Sequence, residues 1–426
     1  MIKLSGIINS YKDYYTSAFA RLQPYFSPKK EFFMKICAVI CEYDPFHRGH
    51  EYQIAELKRR GYSVIAIMSG CFTQRGTAAV IDKYKRARSA VMCGADVVFE
   101  LPFPFCASGA STFAFGGVRI AEKLGIVDTL AFGSETGDAE EIKAVAANML
   151  SDEYSAALEK SKQGYGSYSQ RQISAYESVY GKTPVLEGSN DLLALEYVKT
   201  IIKTGAKIAP LAIKREGQDY GKTEGEGFLS ASSVRKMIFS GDREGIKAAV
   251  PQASAEEIIP SLDDGKIAGT EKLFLPYAAK FRTESIQSLR GTAEMTDELC
   301  GRLINSAKES TDFSSLVLGA QTRLYSESRV RRAMLFSFLG VRADEINEPT
   351  FTVLLGAGKE GRKILSMIKK STDFPIITKP ADYALCGDDV ITDFELLLRA
   401  EALWTLCLGR PSAAGELMKR NPFISE

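Results

Sequence analysis

The chain has 426 residues, of which 45% are hydrophobic and 25% charged, and its formal net charge is +1. Such values describe a globular protein of two or three domains with enough chain for a real core. They exclude a uniformly basic nucleic-acid binder, so any nucleic-acid surface must be a local patch, and no stretch approaches the roughly 20 apolar residues of a membrane span.

Residues 1–33 are rich in Tyr, Lys and Ser and end in Ser27-Pro28-Lys29-Lys30. They read as an N-terminal extension: either a short appended helix, or a mis-assigned start with translation beginning at Met34. From Met34 onward, strands are predicted at 36–42, 63–69, 96–100 and 127–132, and helices at 50–60, 82–93, 108–124 and 138–162. Near-continuous apolar strands alternating with helices predict an α/β fold, a doubly wound parallel sheet covered on both faces. Ligands on such sheets bind beyond the carboxyl ends of the strands. His47, Ser69-Gly70, Glu100-Leu101-Pro102 and Gly133-Ser134-Glu135 all fall at such ends. The polar run 164–169 reads as a linker, 206–214 as a further strand, and 216–228 as a loose Gly-rich segment. From about residue 241 the chain reads as mostly helical, with breaks at Pro251, Pro260 and Pro276 and one strand-like run, Phe351 to Gly356. The expected organisation is therefore 1–33 extension, 34–240 nucleotide-binding α/β domain, and 241–426 mostly helical domain. Eight cysteines with no C-x-x-C pair, mostly in apolar stretches, suit a reduced cytosolic protein.

Both histidines of the chain lie in one tetrapeptide, His47-Arg48-Gly49-His50. It follows the apolar run Ile36–Cys41 and precedes the amphipathic run Glu51–Lys58. Backbone N–H groups and the dipole at a helix start attract anions, Gly49 permits close backbone approach, and two imidazoles one turn apart can donate to an α-phosphate. The competing readings are that they cap a helix or bind a metal. A metal pair needs further ligands at set spacings and no third histidine exists, so no metal site is expected.

Other motifs carry two readings each. Met68-Ser69-Gly70-Cys71-Phe72-Thr73-Gln74-Arg75-Gly76 is either a phosphate loop or an ordinary connection with a surface arginine. Asp82 reads as a helix cap, and Lys83 as a phosphate contact or, more commonly, a solvated lysine. Ser230-Ala231-Ser232-Ser233-x-Arg235 sets hydroxyls and amides at a helix start with an arginine one turn in, which suits a pyrophosphate leaving group or simply a capped surface helix. Together with H-x-G-H it resembles the paired signature of α/β nucleotidylyl transferases. Arg323, Arg329, Arg331 and Arg332 stand with Tyr325 against one acid, Glu327. They read as RNA-backbone contacts or as a solvated face. Lys359, Arg362, Lys363, Lys369 and Lys370 add a second basic segment.

From Glu42-Tyr43-Asp44-Pro45-Phe46-His47-Arg48-Gly49-His50 through Met68–Gly76, Gly94-Ala95-Asp96, Glu100-Leu101-Pro102 and Phe132-Gly133-Ser134-Glu135, the chain resembles the bacterial tRNA(Met) cytidine acetate ligases. The resemblance runs from Met34 nearly to the end and is tightest in the first three motifs. It implies a HIGH-type nucleotidyltransferase fold. It also implies an enzyme that uses ATP to activate acetate as acetyl-adenylate, then acetylates N4 of the wobble cytidine of elongator tRNA(Met). By position it implies that ATP is held by Ile40, Cys41, Glu42, Tyr43, Asp44, Pro45, Phe46, His47, Arg48, Gly49, His50, Glu51, Tyr52 and Gln53, with Gly133, Asn190 and Arg215. Asp44, Arg48 and Cys71 each stand where that pattern has Asn. Asp44 matters most, since it brings negative charge to a triphosphate: it binds Mg²⁺, points away, or weakens ATP binding.

On these readings His47 and His50 stabilise the transferring phosphoryl group. Ser232, Ser233 and Arg235 hold the leaving pyrophosphate, Mg²⁺ shares the charge, and Arg323, Arg329, Arg331 and Arg332 bind RNA. Three alternatives stand beside it. They are a small-molecule nucleotidylyltransferase, an acetate ligase with a protein thiol as acceptor, and a tRNA-binding protein with a degenerate ATP site.

Overall fold

The structure, a computed structural model, describes residues 34–161, 168–215 and 228–425. The N-terminal extension, the greater part of the 164–169 linker and nearly all of the 216–228 segment lie outside the described residues.

In chain order the elements are β1 (Lys35–Cys41), α1 (Arg48–Arg59), β2 (Tyr62–Ser69), α2 (Lys83–Met92), β3 (Val97–Leu101), α3 (Ala110–Lys123), β4 (Thr129–Ser134), α4 (Ala139–Asn148), α5 (Asp152–Lys160), α6 (Tyr168–Tyr180), α7 (Ser189–Thr204) and β5 (Ala209–Lys214). Then follow α8 (Ala231–Ser240), α9 (Arg243–Ala249), α10 (Gln252–Asp263), α11 (Phe274–Thr283), α12 (Ile286–Leu289), α13 (Asp297–Glu309), α14 (Phe313–Ala320) and α15 (Glu327–Leu339). The chain closes with β6 (Thr352–Ala357), α16 (Gly361–Ser371), β7 (Ile376–Ile377), α17 (Asp388–Leu406) and β8 (Phe423–Ile424).

The strands form one sheet in the order β5-β4-β1-β2-β3-β6-β7, with β8 beside β6. From β5 to β3 every pairing is parallel. Strand β3 is buried throughout, as are the interior of β1 and all but the first two residues of β2, as a sheet covered on both faces requires. After β1 the chain steps one way to β2 and β3, then returns to place β4 on the other side of β1. That reversal opens a crevice above the carboxyl ends of β1 and β4, the place where such sheets bind ligands.

The predicted parallel sheet is present with boundaries shifted by one to three residues. The predicted helix at 138–162 is two helices, α4 and α5, because Ser151 accepts the Tyr154 N–H and starts a new helix. The second half is mostly helical, but it also completes the sheet. Strand β6, read in the sequence as an isolated strand, pairs antiparallel with β3, and β7 and β8 add to β6.

Residues Lys35–Glu426 pack as one unit, and several ties cross residue 240. Trp404 Nε1 donates to the Ala79 carbonyl at 2.8 Å, Lys85 Nζ to Ser261 Oγ at 2.7 Å, and Arg48 Nε to the Ala248 carbonyl at 3.0 Å. Val80 and Ile81 pack in one apolar cluster with Val234, Ile238, Ile246, Val250 and Ile258. No described helix is long and apolar enough to cross a membrane, and all eight cysteines are free thiols.

Candidate active site

A cavity of about 460 Å³ opens in the crevice between β1 and β4. Of the run Ile40 to Gln53, ten residues line it: Ile40 to Asp44, His47, Gly49, His50, Tyr52 and Gln53. Gly133 at the end of β4, Asn190 in the first turn of α7 and Arg215 just after β5 complete the wall. Pro45, Phe46, Arg48 and Glu51 do not line it. Phe46 is buried against Tyr43 and His50, with centroids 4.8 and 5.6 Å away, while Arg48 and Glu51 turn to the surface as an exposed pair. A helix start directs only part of its first turn at a ligand. Tyr43 sits at φ 46°, a left-handed conformation that costs a residue with a Cβ on the order of 1–2 kcal/mol. Burial of its ring (1% exposed) holds it there.

The histidines cap the helix and face the cavity at once. His47 Nδ1 accepts the Gly49 N–H at 3.1 Å, and His50 Nδ1 accepts the His47 N–H at 3.3 Å, a reciprocal capping box. A ring nitrogen that accepts carries no hydrogen, so in each neutral imidazole the proton resides on Nε2. The rings stack, with centroids 3.7 Å apart. Burial lowers the His47 pKa to about 4, helped by the charges of Arg215 and Arg235. Burial, then His47 and Arg215, hold His50 well below the usual range. Two neutral N–H donors therefore face a cavity edged by guanidinium groups. Arg75 also lines it and has no ion-pair partner among the described residues.

Asp44 is engaged inside the protein. Its Oδ1 accepts the Val80 N–H at 2.7 Å, its Oδ2 lies 3.6 Å from Arg235 Nη1, and Arg235 also donates to the Asp44 carbonyl at 2.6 Å. The carboxylate is 2% exposed. Asp44 therefore lies at the cavity wall with its carboxylate already engaged by the Val80 N–H and paired with Arg235. Glu42 lines the cavity with Oε1 accepting the Gln74 N–H at 2.8 Å. Burial and the neighbouring Asp44 push its pKa up.

The sequence alone did not reveal how α7 is fixed. Glu135 caps it, accepting the Asn190 N–H at 3.1 Å and the Asp191 N–H at 2.9 Å. Burial acts to raise the Glu135 pKa, but the hydrogen bonds from Asn190 and Asp191 outweigh it and hold the group low. Arg215 Nη1 donates to Asn190 Oδ1 at 3.3 Å. Beyond Gly133 the cavity turns apolar, lined by Phe132, Met149, Ile173, Leu186 and Tyr197. These residues come from β4, the loop after α4, α6, the turn before α7, and α7 itself, so no local pattern announces them.

The segment Met68–Gly76 does reach the cavity, through Gln74 and Arg75. Asp82 caps α2 as expected, accepting the Lys85 N–H at 2.9 Å. Lys83, expected to be solvated or to meet phosphate, does neither. It is buried between Glu100 Oε2, at 2.5 Å, and Glu401 of α17. Arg86, fully buried, donates to the carbonyls of Glu42 at 2.7 Å, Ser69 at 3.0 Å and Gly70, and so ties the ends of β1 and β2 together.

Arg235, held on Asp44, does not line the cavity, and neither do Ser232 and Ser233, although their neighbour Ala231 does. Their hydroxyls bond to Ser230 Oγ at 2.8 and 3.0 Å, while Ser230 caps α8 by accepting the Ser233 N–H. The arginines of α15 are not a free cationic face. Arg332 pairs with Glu294 at 2.9 Å, Arg329 lies 3.8 Å from the same carboxylate, and Arg331 pairs with Glu327. The sequence count of one opposing acid omitted Glu294, which tertiary packing brings in from 35 residues upstream. Arg323 is exposed. Among the described residues no group of three or more His, Cys, Asp or Glu side chains is placed to hold a metal ion.

The comparisons agree with this geometry. The HIGH Nucleotidyl Transferase family model matches residues 34–415. A tRNA(Met) cytidine acetate ligase of Thermoanaerobacter sp. (strain X514) is 32% identical over 394 residues, covering 90% of this chain and 98% of that protein. One from Acetivibrio thermocellus is 30% identical over 414 residues, covering 92% and 100%. The crystal structure of Thermotoga maritima TmcAL bound with alpha-thio ATP superposes with a TM-score of 0.84 at 28% identity, covering 92% of this chain and all of the other. Matched by the family model over residues 34–415 and at least 30% identical to these ligases over nearly all of their length, the chain belongs to the HIGH nucleotidyl transferase family, within its tRNA(Met) cytidine acetate ligase branch.

Proposed function

We propose that the protein is an ATP-dependent ligase that joins acetate to N4 of the wobble cytidine of elongator tRNA(Met), releasing AMP and diphosphate. The observation that carries the reading is the pair of neutral Nε2–H donors at the switch point of the sheet, with Arg215 and Arg75 on the cavity wall and the charge of Arg235, held on Asp44, reaching His47. A polyphosphate suits the cationic end of the cavity, and a flat nucleotide base suits the apolar end.

An acetate oxygen attacks the α-phosphorus in line, the bond to the bridging oxygen breaks, and diphosphate departs. His47 and His50 donate to the α-phosphoryl oxygens as their charge shifts. Arg215 and Arg75 on the cavity wall stabilise the accumulating charge, Arg235 adds to the field from beside Asp44, and the amides opening α8 beside Ala231 would receive the diphosphate. No side-chain nucleophile is required. Mg²⁺ would enter as the counter-ion of the ATP phosphates and share their charge, since the described residues form no dedicated cage for it. The N4 amine then attacks the acetyl carbonyl carbon, the C–O bond to AMP breaks, and the amine sheds one proton. RNA-backbone contact is assigned to Arg323 and to the exposed residues Lys359, Arg362, Lys363, Lys369 and Lys370, with Arg329, Arg331 and Arg332 available only in so far as their acids release them.

The test is diphosphate release from ATP and acetate with and without elongator tRNA(Met), with mass spectrometry of the tRNA for N4-acetylcytidine. The reading requires acetylated cytidine that is lost in the His47→Ala/His50→Ala variant. Tight tRNA binding with neither ATP binding nor acetylation would overturn it.

A further inference from the structure

The acetyl-transfer step releases a proton, and the hydrogen bonding around the two histidines means that neither can take it. The N4 amine forms a C–N bond and loses one hydrogen, while AMP departs as an anion that needs no proton. An acceptor must stand within reach of that amine.

The acceptor is found by elimination over the titratable groups that line the cavity. The only lone pairs on His47 and His50 able to take a proton are on Nδ1, and both already accept a backbone N–H. Protonating either would break the helix cap, so toward the substrate both imidazoles serve as donors through Nε2. Asp44 is 2% exposed and spent on the Val80 N–H and Arg235. Glu196 lies 2.6 Å from Lys199. Lys214 is an exposed ammonium that only donates. Phenols and thiols hold their protons near neutral pH, and burial pushes Cys41, Tyr43 and Tyr197 further up.

Glu42 remains. It sits at the end of β1, one residue beyond Cys41, on the cavity wall beside the histidine turn. Its Oε1 is anchored by the Gln74 N–H, while Oε2 takes no hydrogen bond from a described residue. Its own carbonyl is fixed by the buried Arg86, so the side chain projects from a rigid position. The charged groups facing it are Asp44, which favours its protonated form, and Arg235 and Arg75, which oppose this. Cys41 and Tyr197 stand close enough to feel its charge. The balance leaves a carboxylate more basic than usual, as an acceptor at neutral pH requires.

We propose that Glu42 is the general base of acetyl transfer: its free Oε2 accepts the proton that leaves the N4 amine as the C–N bond forms. The inference rests on the ligase reading above and assigns within it a role distinct from the histidines, which act on the phosphoryl group in the first step.

The experiment supplies pre-formed acetyl-adenylate to enzyme and tRNA and measures single-turnover transfer across pH for wild type, Glu42→Gln and Glu42→Asp. Acetyl-adenylate formation from ATP and acetate is followed in parallel. Glutamine keeps an oxygen to accept the Gln74 N–H, so the turn is retained, and an unchanged melting temperature checks this. In wild type the transfer rate falls on the acid side, in a limb above the ordinary carboxylate range. In Glu42→Gln, transfer falls about 100-fold further than adenylate formation does, and the acid limb disappears. Glu42→Asp restores the limb at a reduced rate. Equal losses in both half-reactions, an acid limb that persists in Glu42→Gln, or rescue of that variant by raised Mg²⁺ would each overturn the assignment while leaving the ligase reading intact. No transfer by the wild-type enzyme would overturn both.

Discussion

Arg332 Nη1 donates to the backbone carbonyl of Gln74 at 3.2 Å, joining the arginine-rich helix α15 to the loop that lines the nucleotide cavity. The two residues are 258 positions apart. The contact is close: a Cβ on Gly76 would come within 2.7 Å of the Arg332 nitrogen. Glu294 completes the junction, pairing with Arg332 and accepting the Gly109 N–H that opens α3 at 2.9 Å. Its backbone is left-handed, at φ 63°.

Arg332 is therefore expected to act as a brace, and Arg323 as an RNA contact. Arg332→Ala should lower the melting temperature and raise KM for ATP several-fold, with little change in the salt slope of tRNA binding. Arg323→Ala should do the reverse, weakening tRNA binding and reducing that slope by about one. Titration of tRNA binding against salt concentration separates the two.

His47→Asn tests whether capping and catalysis can be divided. Asparagine is a good N-cap, so helix stability should fall by no more than about 0.5 kcal/mol, whereas His47→Ala should cost about 1 kcal/mol. The shorter side chain does not reach the α-phosphate, so adenylate formation should fall by 10²-fold or more in both. Thermal unfolding paired with diphosphate-release kinetics reads each effect.

The histidines also make stability depend on pH. In the unfolded chain a histidine titrates near 6.5, while in the folded protein burial lowers His47 to about 4 and holds His50 well below its ordinary value. Between these values the unfolded state binds more protons, so stability is full above pH 6.5 and falls as pH drops toward 4. For His47 alone the loss is on the order of 3 kcal/mol. Denaturant unfolding of wild type and His47→Asn at pH 7 and pH 5 should show a smaller pH effect in the variant.

Asp44→Asn keeps an acceptor for the Val80 N–H but frees Arg235 from its carboxylate. KM for ATP should fall a few-fold, since a positive charge becomes available to the phosphates. Asp44→Ala leaves a buried N–H unpaired and should cost about 1–3 kcal/mol. Calorimetry and ATP saturation curves on both variants check the sign of each effect.

Among the described residues Lys83 is the only cation paired with the two buried carboxylates of Glu100 and Glu401. Lys83→Met should destabilise the protein by about 3–5 kcal/mol through the uncompensated charge left behind. Adding Glu401→Gln should recover part of that. Burial already pushes Glu100 up to about 7, so it can take a proton once its partners are gone. Urea unfolding of the single and double variants gives both numbers.

The parallel part of the sheet was legible in the sequence because each strand is a short, mainly apolar run between helices. The site was legible in part for the same local reason. His47, Gly49 and His50 act through the backbone of their own turn, and Gly133 sits at a strand end. Lys83 and Arg332 were misread because a charged side chain looks solvated until its partner is known, and Glu401 and Glu294 lie 318 and 38 residues away.

What the sequence alone determined is the strand–helix alternation from β1 to β5 and the histidine turn that opens α1, since periodicity, caps and glycine positions act over a few residues. Only the tertiary structure decided that both histidines spend Nδ1 on a backbone N–H and that Asp44 is paired with Arg235. It alone decided that β6 returns antiparallel beside β3, and that Glu42 Oε2 takes no hydrogen bond from a described residue. Each of these depends on which group stands next to another in space, and local chain preferences do not encode that.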